Sequence, residues 1–200
     1  MLDFKVPFIS KETLARQAEA FLAKYHASRE LPIPMERIVE SDLGLDIVPV
    51  PGLRHFDVVA YVTSDRKEIR VDQNVFECQE SRYRFSLAHE VGHLELHPGL
   101  FTNLCFSNIE EWKAVVTDSI PEKEYSFLEW QASCFAGLVL VPPSELTREI
   151  ESLQGKLPQN VSNLKKLDGG ARTYVEGLLG RKFVVSAEVI HRRLEFDEHL

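Results

Sequence analysis

The chain has 200 residues, of which 44% are hydrophobic, and this composition suits one compact domain or one domain with a small appendage. Its formal net charge of −8 argues against a general nucleic-acid binder. No apolar run approaches the roughly 18 residues that a transmembrane helix requires, and residues 1–10 lack the features of a secretory signal. The widely spaced Cys78, Cys105 and Cys134 fit reduced thiols. We therefore expect a cytoplasmic protein that does not engage a membrane.

The first third of the chain predicts two helices followed by a small sheet. Apolar residues at helical spacing predict a helix over residues 11–26, with Ser10 as its N-cap, and a shorter helix over residues 35–42. Strand-like runs follow at residues 45–50, 58–63 and 68–72. Their short connections predict an antiparallel meander, which would offer an edge strand on which a peptide can be held extended.

The motif His-Glu-x-x-His lies in the next element, a helix that we predict over residues 81–96. His89 and His93 project from the same face of this helix, because residues four apart lie one above the other. Two imidazoles in this arrangement can share one tetrahedral cation, and zinc is the usual one. Glu90 adjoins the first histidine, where it can serve as the general base in peptide hydrolysis. An amphipathic helix with two solvent-exposed histidines is the simpler alternative.

A third histidine, His97, follows four residues after His93. Three histidines at i, i+4 and i+8 spread over about 12 Å of a straight helix, too far to share one ion with bonds near 2 Å. No glycine or proline between His93 and His97 breaks the helix. We therefore interpret His97 as a residue of the helix end, near the C-terminal dipole or behind the ligands, and a ligand role is the minor alternative.

Glu129 is the best candidate for the third ligand, in a second, strongly apolar helix over residues 126–142. Ala132, Ser133 and Ala136 follow it at i+3, i+4 and i+7, and small residues allow two helices to pack closely. An alternative is that Ser126 and Glu129 form a capping box at the helix start.

Residues 101–125 show no helical periodicity, and we predict an irregular surface loop there, with a flap over the cleft as the alternative. This stretch holds the other candidate carboxylates, Asp118, Glu122 and Glu124.

Residues 84–97 and 129–142 together resemble the ImmA/IrrE family of bacterial zinc metallopeptidases, and the likeness covers roughly residues 33–143. The resemblance implies a zincin-like fold with a helix-turn-helix-like portion. It also implies cleavage of helix-turn-helix repressors of mobile elements or of the DNA-damage response.

Position by position, the same resemblance assigns the metal ligands to His89, His93 and Glu129, and the catalytic glutamate to Glu90. The family often has Ala-Asn where this chain has Ala132-Ser133. We expect this difference to affect packing more than metal binding.

Helices are predicted after Pro143 over residues 145–153, 164–179 and 187–196, the last with Ser186 as its N-cap. Residues 154–194 carry eight Lys or Arg and three acidic residues. We interpret this basic excess as a solvated helical face, and a docking surface for an acidic partner or nucleic acid is the alternative. The last helix most simply completes the core, whereas reading DNA or recognising a repressor are its alternative roles.

We predict an α+β fold with a zincin-like metallopeptidase core over residues 1–143, built from a small antiparallel sheet, the His-Glu-x-x-His helix and the glutamate helix. A helical C-terminal portion, with a helix-turn-helix-like arrangement as an option, covers residues 144–200.

The predicted function is a Zn²⁺-dependent endopeptidase that cleaves a helix-turn-helix transcriptional repressor, and direct DNA binding is left open. The alternative is a non-catalytic, zinc-stabilised module that binds a repressor or DNA, such as one half of a toxin–antitoxin pair. Four residues are candidate donors to the oxyanion of the reaction: Tyr83, His97, Tyr125 and Tyr174.

Overall fold

Helices make up most of the computed structural model, which describes residues 5–99, 106–154 and 169–196. The helices are α1 Lys11–Tyr25, α2 Met35–Arg37, α3 Gln73–Cys78, α4 Glu80–Leu96, α5 Ile109–Ser119, α6 Glu122–Leu140, α7 Pro143–Gln154, α8 Gly169–Phe183 and α9 Ala187–Phe196. The strands are β1 Asp46–Val50, β2 Ala60–Val62 and β3 Glu68–Asp72. A π-helical turn, Ile38–Asp42, extends α2, and a 3₁₀ helix, Leu53–Phe56, lies between β1 and β2. Within the described ranges, every helix is too short or too polar to span a bilayer.

The prediction of an antiparallel meander is wrong for one of the two strand pairs. The strand order is β1-β3-β2, and β1 runs parallel to β3, with Asp46 opposite Glu68 and Val50 opposite Asp72. Among the strands of the described ranges, β2 and β3 form the antiparallel pair. The meander would require strands adjacent in sequence to pair, but here the 3₁₀ helix and β2 carry the chain across so that β3 enters between its two predecessors.

Predicted helix boundaries agree well where a cap or a periodic apolar face defines them. Helix α1 starts after Ser10, whose Oγ accepts a hydrogen bond from the Thr13 N–H at 3.3 Å, and α9 spans the predicted residues. Ser186 caps α9 by accepting from the Val189 N–H at 3.3 Å. Of the helix predicted over residues 164–179, residues 164–168 lie outside the described residues, and α8 continues beyond the predicted end to Phe183.

The prediction of an irregular stretch over residues 101–125 is wrong from residue 109 onwards, and residues 101–105 lie outside the described residues. Asn108 caps α5 by accepting a hydrogen bond from the Glu111 N–H at 2.8 Å. The buried Ile109 and the half-buried Trp112 pack in a cluster with Tyr61 of β2. The helix is stabilised by the sheet that it contacts, so it does not need a strong helical pattern of its own. Its few apolar residues stand among acidic ones, and the sequence alone therefore indicates it only weakly.

The C-terminal helices share the main core with the rest of the chain. Apolar residues of α8 and α9 belong to the same buried cluster as those of α1, α4 and α6: Val175, Leu179, Phe183, Ile190 and Leu194. Arg193 is 3% exposed and donates a hydrogen bond from Nε to the carbonyl oxygen of Val141 at 3.1 Å. Helix α9 therefore completes the core, as its simplest interpretation from sequence predicted.

Basic residues of the C-terminal segment form ion pairs on the helix surfaces. Arg172 pairs with Glu176 at 2.9 Å, and Arg192 pairs with Glu188 at 2.8 Å, each four residues apart on one helix. The exposed pair of Arg192 and Glu188 fits a solvated helical face, whereas Glu176 is buried, so the Arg172 pair does not. Lys156, Lys165 and Lys166, which contribute to the predicted basic excess, lie outside the described residues.

Helices α4 and α6 approach closely where Gly92 faces Ala132. A Cβ atom added to Gly92 would lie 3.1 Å from the carbonyl oxygen of Ala132, 3.2 Å from its Cα and 3.3 Å from Cδ1 of Phe135. The small-residue face predicted for the glutamate helix is therefore the face that packs on α4. This close approach brings the histidines of one helix and the glutamate of the other together.

Substituting Gly92 by alanine is expected to destabilise the protein by about 1 kcal/mol or more, because overpacking typically costs about 1–3 kcal/mol and exceeds the gain in helix propensity. Gly177 of α8 is the matched control, since its added Cβ would meet only Nη1 of Arg181, at 3.9 Å. Gly177→Ala is expected to stabilise by up to about 1 kcal/mol. Urea unfolding of both variants tests this, and equal effects of the two substitutions would contradict the close contact.

Candidate metal centre

Three side chains from two helices converge at one point beside the sheet. His89 and His93 come from α4 and Glu129 comes from α6. The Nε2 atoms of the two histidines are 3.0 Å apart. Glu129 places Oε2 at 3.2 Å from Nε2 of His89 and Oε1 at 3.3 Å from Nε2 of His93.

This triangle of donor atoms fits a tetrahedral metal ion. A zinc ion with bonds of about 2.0–2.1 Å separates its ligand atoms by about 3.3–3.4 Å, close to the three distances of 3.0–3.3 Å in this group. Two imidazoles and one carboxylate are also a donor set found at catalytic zinc sites, where they leave a fourth position open. The group His89, His93 and Glu129 can therefore hold a metal ion.

The charges of the group are strongly coupled. Burial alone would lower the pKa of His89, but the hydrogen bond with Glu129 and the charge of Glu90 outweigh it, so that the pKa is raised. Burial would raise the pKa of Glu129, yet hydrogen bonds with His89 and His93 hold it well below its usual range. Glu129 is therefore a carboxylate, the form that binds a cation.

The capping-box alternative for Glu129 is wrong, because α6 begins at Glu122 and Glu129 lies two turns inside the helix. Ser126 donates its hydroxyl hydrogen bond to the carbonyl oxygen of Glu122 at 3.0 Å. The alternative carboxylates lie elsewhere. Glu124 accepts a hydrogen bond from the Val6 N–H at 2.7 Å, and neither Asp118 nor Glu122 belongs to the metal group of the described residues.

Each histidine of the group has a partner behind it, on Nδ1. Nδ1 of His89 lies 3.3 Å from Oγ of Ser133, and Nδ1 of His93 lies 3.2 Å from Nδ1 of His97. His97 is thus behind the candidate donor atoms and not among them, and burial lowers its pKa to about 4. Ser133, where the sequence differs from the resembling family, therefore contacts the candidate metal group as well as contributing to helix packing.

Glu90, on α4, is buried at 8% exposure and lines the cleft described below. Burial raises the pKa of its carboxyl group, whereas His93, His89 and a hydrogen bond from the backbone N–H of Val62 lower it in part. A carboxyl group with a raised pKa, next to a metal group, has the properties of a general acid–base residue. The contact with Val62, in β2, has no counterpart in the sequence pattern.

A cleft of about 790 Å³ opens in front of the metal group. One wall is β2 and the segment before it, and the opposite walls come from α5 and α6. Apolar side chains line much of the cleft: Phe56, Val58, Phe85, Val116, Ile120 and Leu128. Charged side chains, among them Lys113 and Glu122, also line the cleft.

The edge of β2 opposite β3, which pairs with no other strand of the described residues, faces this cleft. Asp72 N donates to Val59 O at 2.8 Å, and Thr63 N donates to Glu68 O at 2.9 Å. Since backbone groups alternate in direction along an antiparallel strand, Ala60 and Val62 direct their N–H and C=O groups away from β3. Both residues line the cleft, so a strand edge is available next to the metal group.

Of the four candidate oxyanion donors, Tyr125 is the one that lines the cleft. Burial is the main cause that raises the pKa of Tyr125. The charge of Glu129, whose carboxylate accepts a hydrogen bond from the Tyr125 hydroxyl, raises it further. The hydroxyl of Tyr83 is buried away from the cleft, where its ring packs edge-on against Phe76. Tyr174 is 60% exposed on α8, and His97 lies behind His93. Tyr83, His97 and Tyr174 are therefore not placed to donate.

Residues 41–195 match the family described as Peptidase_M78, IrrE N-terminal-like domain. The chain belongs to this family. No curated protein sequence matches the chain. Among solved structures, a Mycobacterium tuberculosis transcriptional regulator is similar to it, with a TM-score of 0.58 and 20% sequence identity. The match covers 90% of this chain and 55% of the regulator, so the chain spans about half of the regulator's length. At 20% identity, the similarity concerns the fold alone.

Proposed function

We propose that this Peptidase_M78 chain is a zinc-dependent endopeptidase with a zincin-like core formed by the sheet, α4 and α6. The observation that carries the proposal is the triangle of His89, His93 and Glu129, with donor atoms 3.0–3.3 Å apart, beside the buried Glu90. The three residues are the zinc ligands in this proposal. The family membership supports a peptidase, and the donor set supports zinc.

The reaction assigns a separate role to each side chain. A zinc ion, when bound, acts as a Lewis acid that makes water more acidic and polarises the scissile carbonyl. Glu90 takes the proton from the attacking water on its carboxylate and returns it to the departing amine nitrogen. A hydrogen bond from the Val62 N–H favours the charged form of that carboxylate. Tyr125 is the proposed donor to the tetrahedral oxyanion, because its hydroxyl lies in the cleft and would turn its hydrogen from Glu129 to the oxyanion.

The substrate is held as an extended segment along the free edge of β2. Ala60 can form backbone hydrogen bonds with one substrate residue, because both its N–H and its C=O point into the cleft. Because the Val62 N–H is used by Glu90, Ala60 is the β2 residue whose N–H remains for the substrate in this proposal. Apolar walls formed by Phe85, Val116 and Leu128 favour bulky apolar side chains near the cleaved bond.

The substrate we propose is a helix-turn-helix transcriptional repressor of a mobile element or a stress regulon. The membership in a family described as IrrE N-terminal-like supports a substrate of this class. An extended segment is required by the strand edge, so the cleaved bond is expected in a linker or terminal segment of the repressor and not within a folded helix.

The proposal predicts zinc-dependent cleavage of the repressor encoded nearest to this chain. The purified protein is expected to contain about one zinc per chain and to cut the repressor at one site, giving two fragments by mass spectrometry. A chelator should abolish cleavage, and zinc added in excess of the chelator should restore it. A zinc-loaded protein that binds the repressor and leaves it intact would instead favour the non-catalytic regulatory module. A protein without zinc, even after zinc is supplied, would refute the metal site.

A further inference from the structure

A chain of buried hydrogen bonds runs from the N-terminal segment to the metal group. Nε2 of Gln131 lies 2.9 Å from the carbonyl oxygen of Pro7, and Oε1 of Gln131 lies 2.8 Å from Nε2 of His97. Nδ1 of His97 lies 3.2 Å from Nδ1 of His93, whose Nε2 faces Glu129. Gln131 is 1% exposed and His97 is 6% exposed, so water does not compete for these contacts.

The backbone at Pro7 fixes the direction of every bond in this chain. A carbonyl oxygen can only accept, so the amide nitrogen of Gln131 must face Pro7 and its oxygen must face His97. Nε2 of His97 must then carry a proton and donate it to that oxygen. In a neutral imidazole the other nitrogen is an acceptor, so Nδ1 of His97 accepts the Nδ1–H of His93.

This direction commits Nδ1 of His93 to His97 and leaves Nε2, which faces Glu129 and the proposed metal position, as the nitrogen that can exchange its proton for a metal ion. The opposite direction would require a second proton on His97 and would bury a positive charge between an amide and an imidazole, which is costly. It would also place a proton on Nε2 of His93, where a ligand needs a lone pair. Only one of the two directions is compatible with metal binding.

We propose that His97 and Gln131 are positioning residues that fix the tautomer and ring orientation of His93 for zinc binding. The inference rests on the proposed function, in which His93 is a ligand. Ligand histidines commonly donate their second N–H to a carbonyl or carboxylate, and here a second histidine, anchored through an amide to a backbone oxygen, takes that role. The chain also joins α4, α6 and the segment before α1, so that the metal group is tied to the N-terminal segment.

Imidazole nitrogen NMR of the metal-free protein tests the hydrogen-bond directions independently of zinc. At mildly alkaline pH, His93 is expected to carry a proton on Nδ1, and His97 is expected to carry its proton on Nε2 with Nδ1 bare. In Gln131→Met, which loses the anchoring acceptor, His97 is expected to show a mixture of both tautomers. A wild-type His97 with its proton on Nδ1 would overturn the proposal.

Zinc affinity, measured by competition with a chelator, tests the consequence for the metal. His97→Leu is expected to weaken zinc binding by about 10–100-fold, as is typical when a partner behind a ligand is removed. His97→Asn is the matched control, because its side-chain oxygen can replace Nδ1 as the acceptor for His93, and its affinity is expected to stay near the wild-type value. Equal affinities of wild type and His97→Leu would overturn the proposal.

The two failures can be told apart. A wild type that binds no zinc refutes the proposed function and removes the inference with it, whereas a zinc-binding wild type with an unaffected His97→Leu variant refutes the inference alone. Thermal unfolding of the metal-free variants shows whether His97→Leu is folded. If His97→Leu is unfolded, the inference is tested by two other measurements. These are the imidazole tautomers of the wild type by NMR and the zinc affinity of Gln131→Met, which is expected to be weaker than that of the wild type.

Discussion

Glu90→Gln is expected to keep its zinc and to lose turnover by about 10²–10⁴-fold, the usual contribution of a general acid–base residue. Glutamine has nearly the same shape as glutamate, and its side-chain oxygen can still accept the Val62 N–H. It cannot take a proton from water, so the loss should appear in kcat on the same repressor. Zinc content should be unchanged, because Glu90 does not belong to the ligand group.

The matched control for this substitution is Glu95→Gln, on the same helix. Glu95 is exposed and does not line the cleft, so that the same change of charge should leave turnover near the wild-type rate. A Glu90→Gln variant that cleaves at the wild-type rate would refute the mechanism. Loss of zinc from Glu90→Gln would show that the group contributes to metal binding in addition to, or in place of, proton transfer.

The sequence predicts the part of the candidate metal centre that helix geometry fixes, which is the pair of histidines on α4. The i, i+4 spacing of His89 and His93 places both imidazoles on one face wherever the helix lies. Bringing Glu129 to them requires a partner surface without bulk, and the small residues after Glu129 indicate that surface in the sequence. The structure adds Gly92 as the complementary small residue on α4, which the motif itself contains.

The features not predicted depend on contacts between residues distant in sequence. Parallel pairing of β1 with β3 has no local pattern, since it depends on which strand the crossover places beside which. Helix α5 is stabilised by contacts with β2, and the Val62 N–H reaches Glu90 only because the sheet packs against α4. Gln131 carries no metal-binding pattern, and its role follows from the backbone oxygen of Pro7, 124 residues away in sequence.

Glu129→Ala is expected to lower zinc affinity by more than about 100-fold, because loss of a partner behind a ligand already costs about 10–100-fold. The two histidines would remain on α4 but with only two protein ligands, fewer than the three of catalytic zinc sites. Zinc should raise the unfolding temperature of the wild type, since a ligand that binds only the native state stabilises it. The variant should lose most of that increase, which calorimetry with and without zinc measures.

Glu122→Ala provides the control for the loss of a carboxylate from the same helix. Glu122 lines the cleft and is one of the alternative ligands, but it does not join the His89 and His93 donor atoms. Zinc affinity of Glu122→Ala should therefore equal that of the wild type, although binding of the substrate can change. If Glu122→Ala loses zinc and Glu129→Ala retains it, the third ligand is assigned to the wrong end of α6. If both retain zinc, His89 and His93 bind the ion with a ligand other than these two carboxylates.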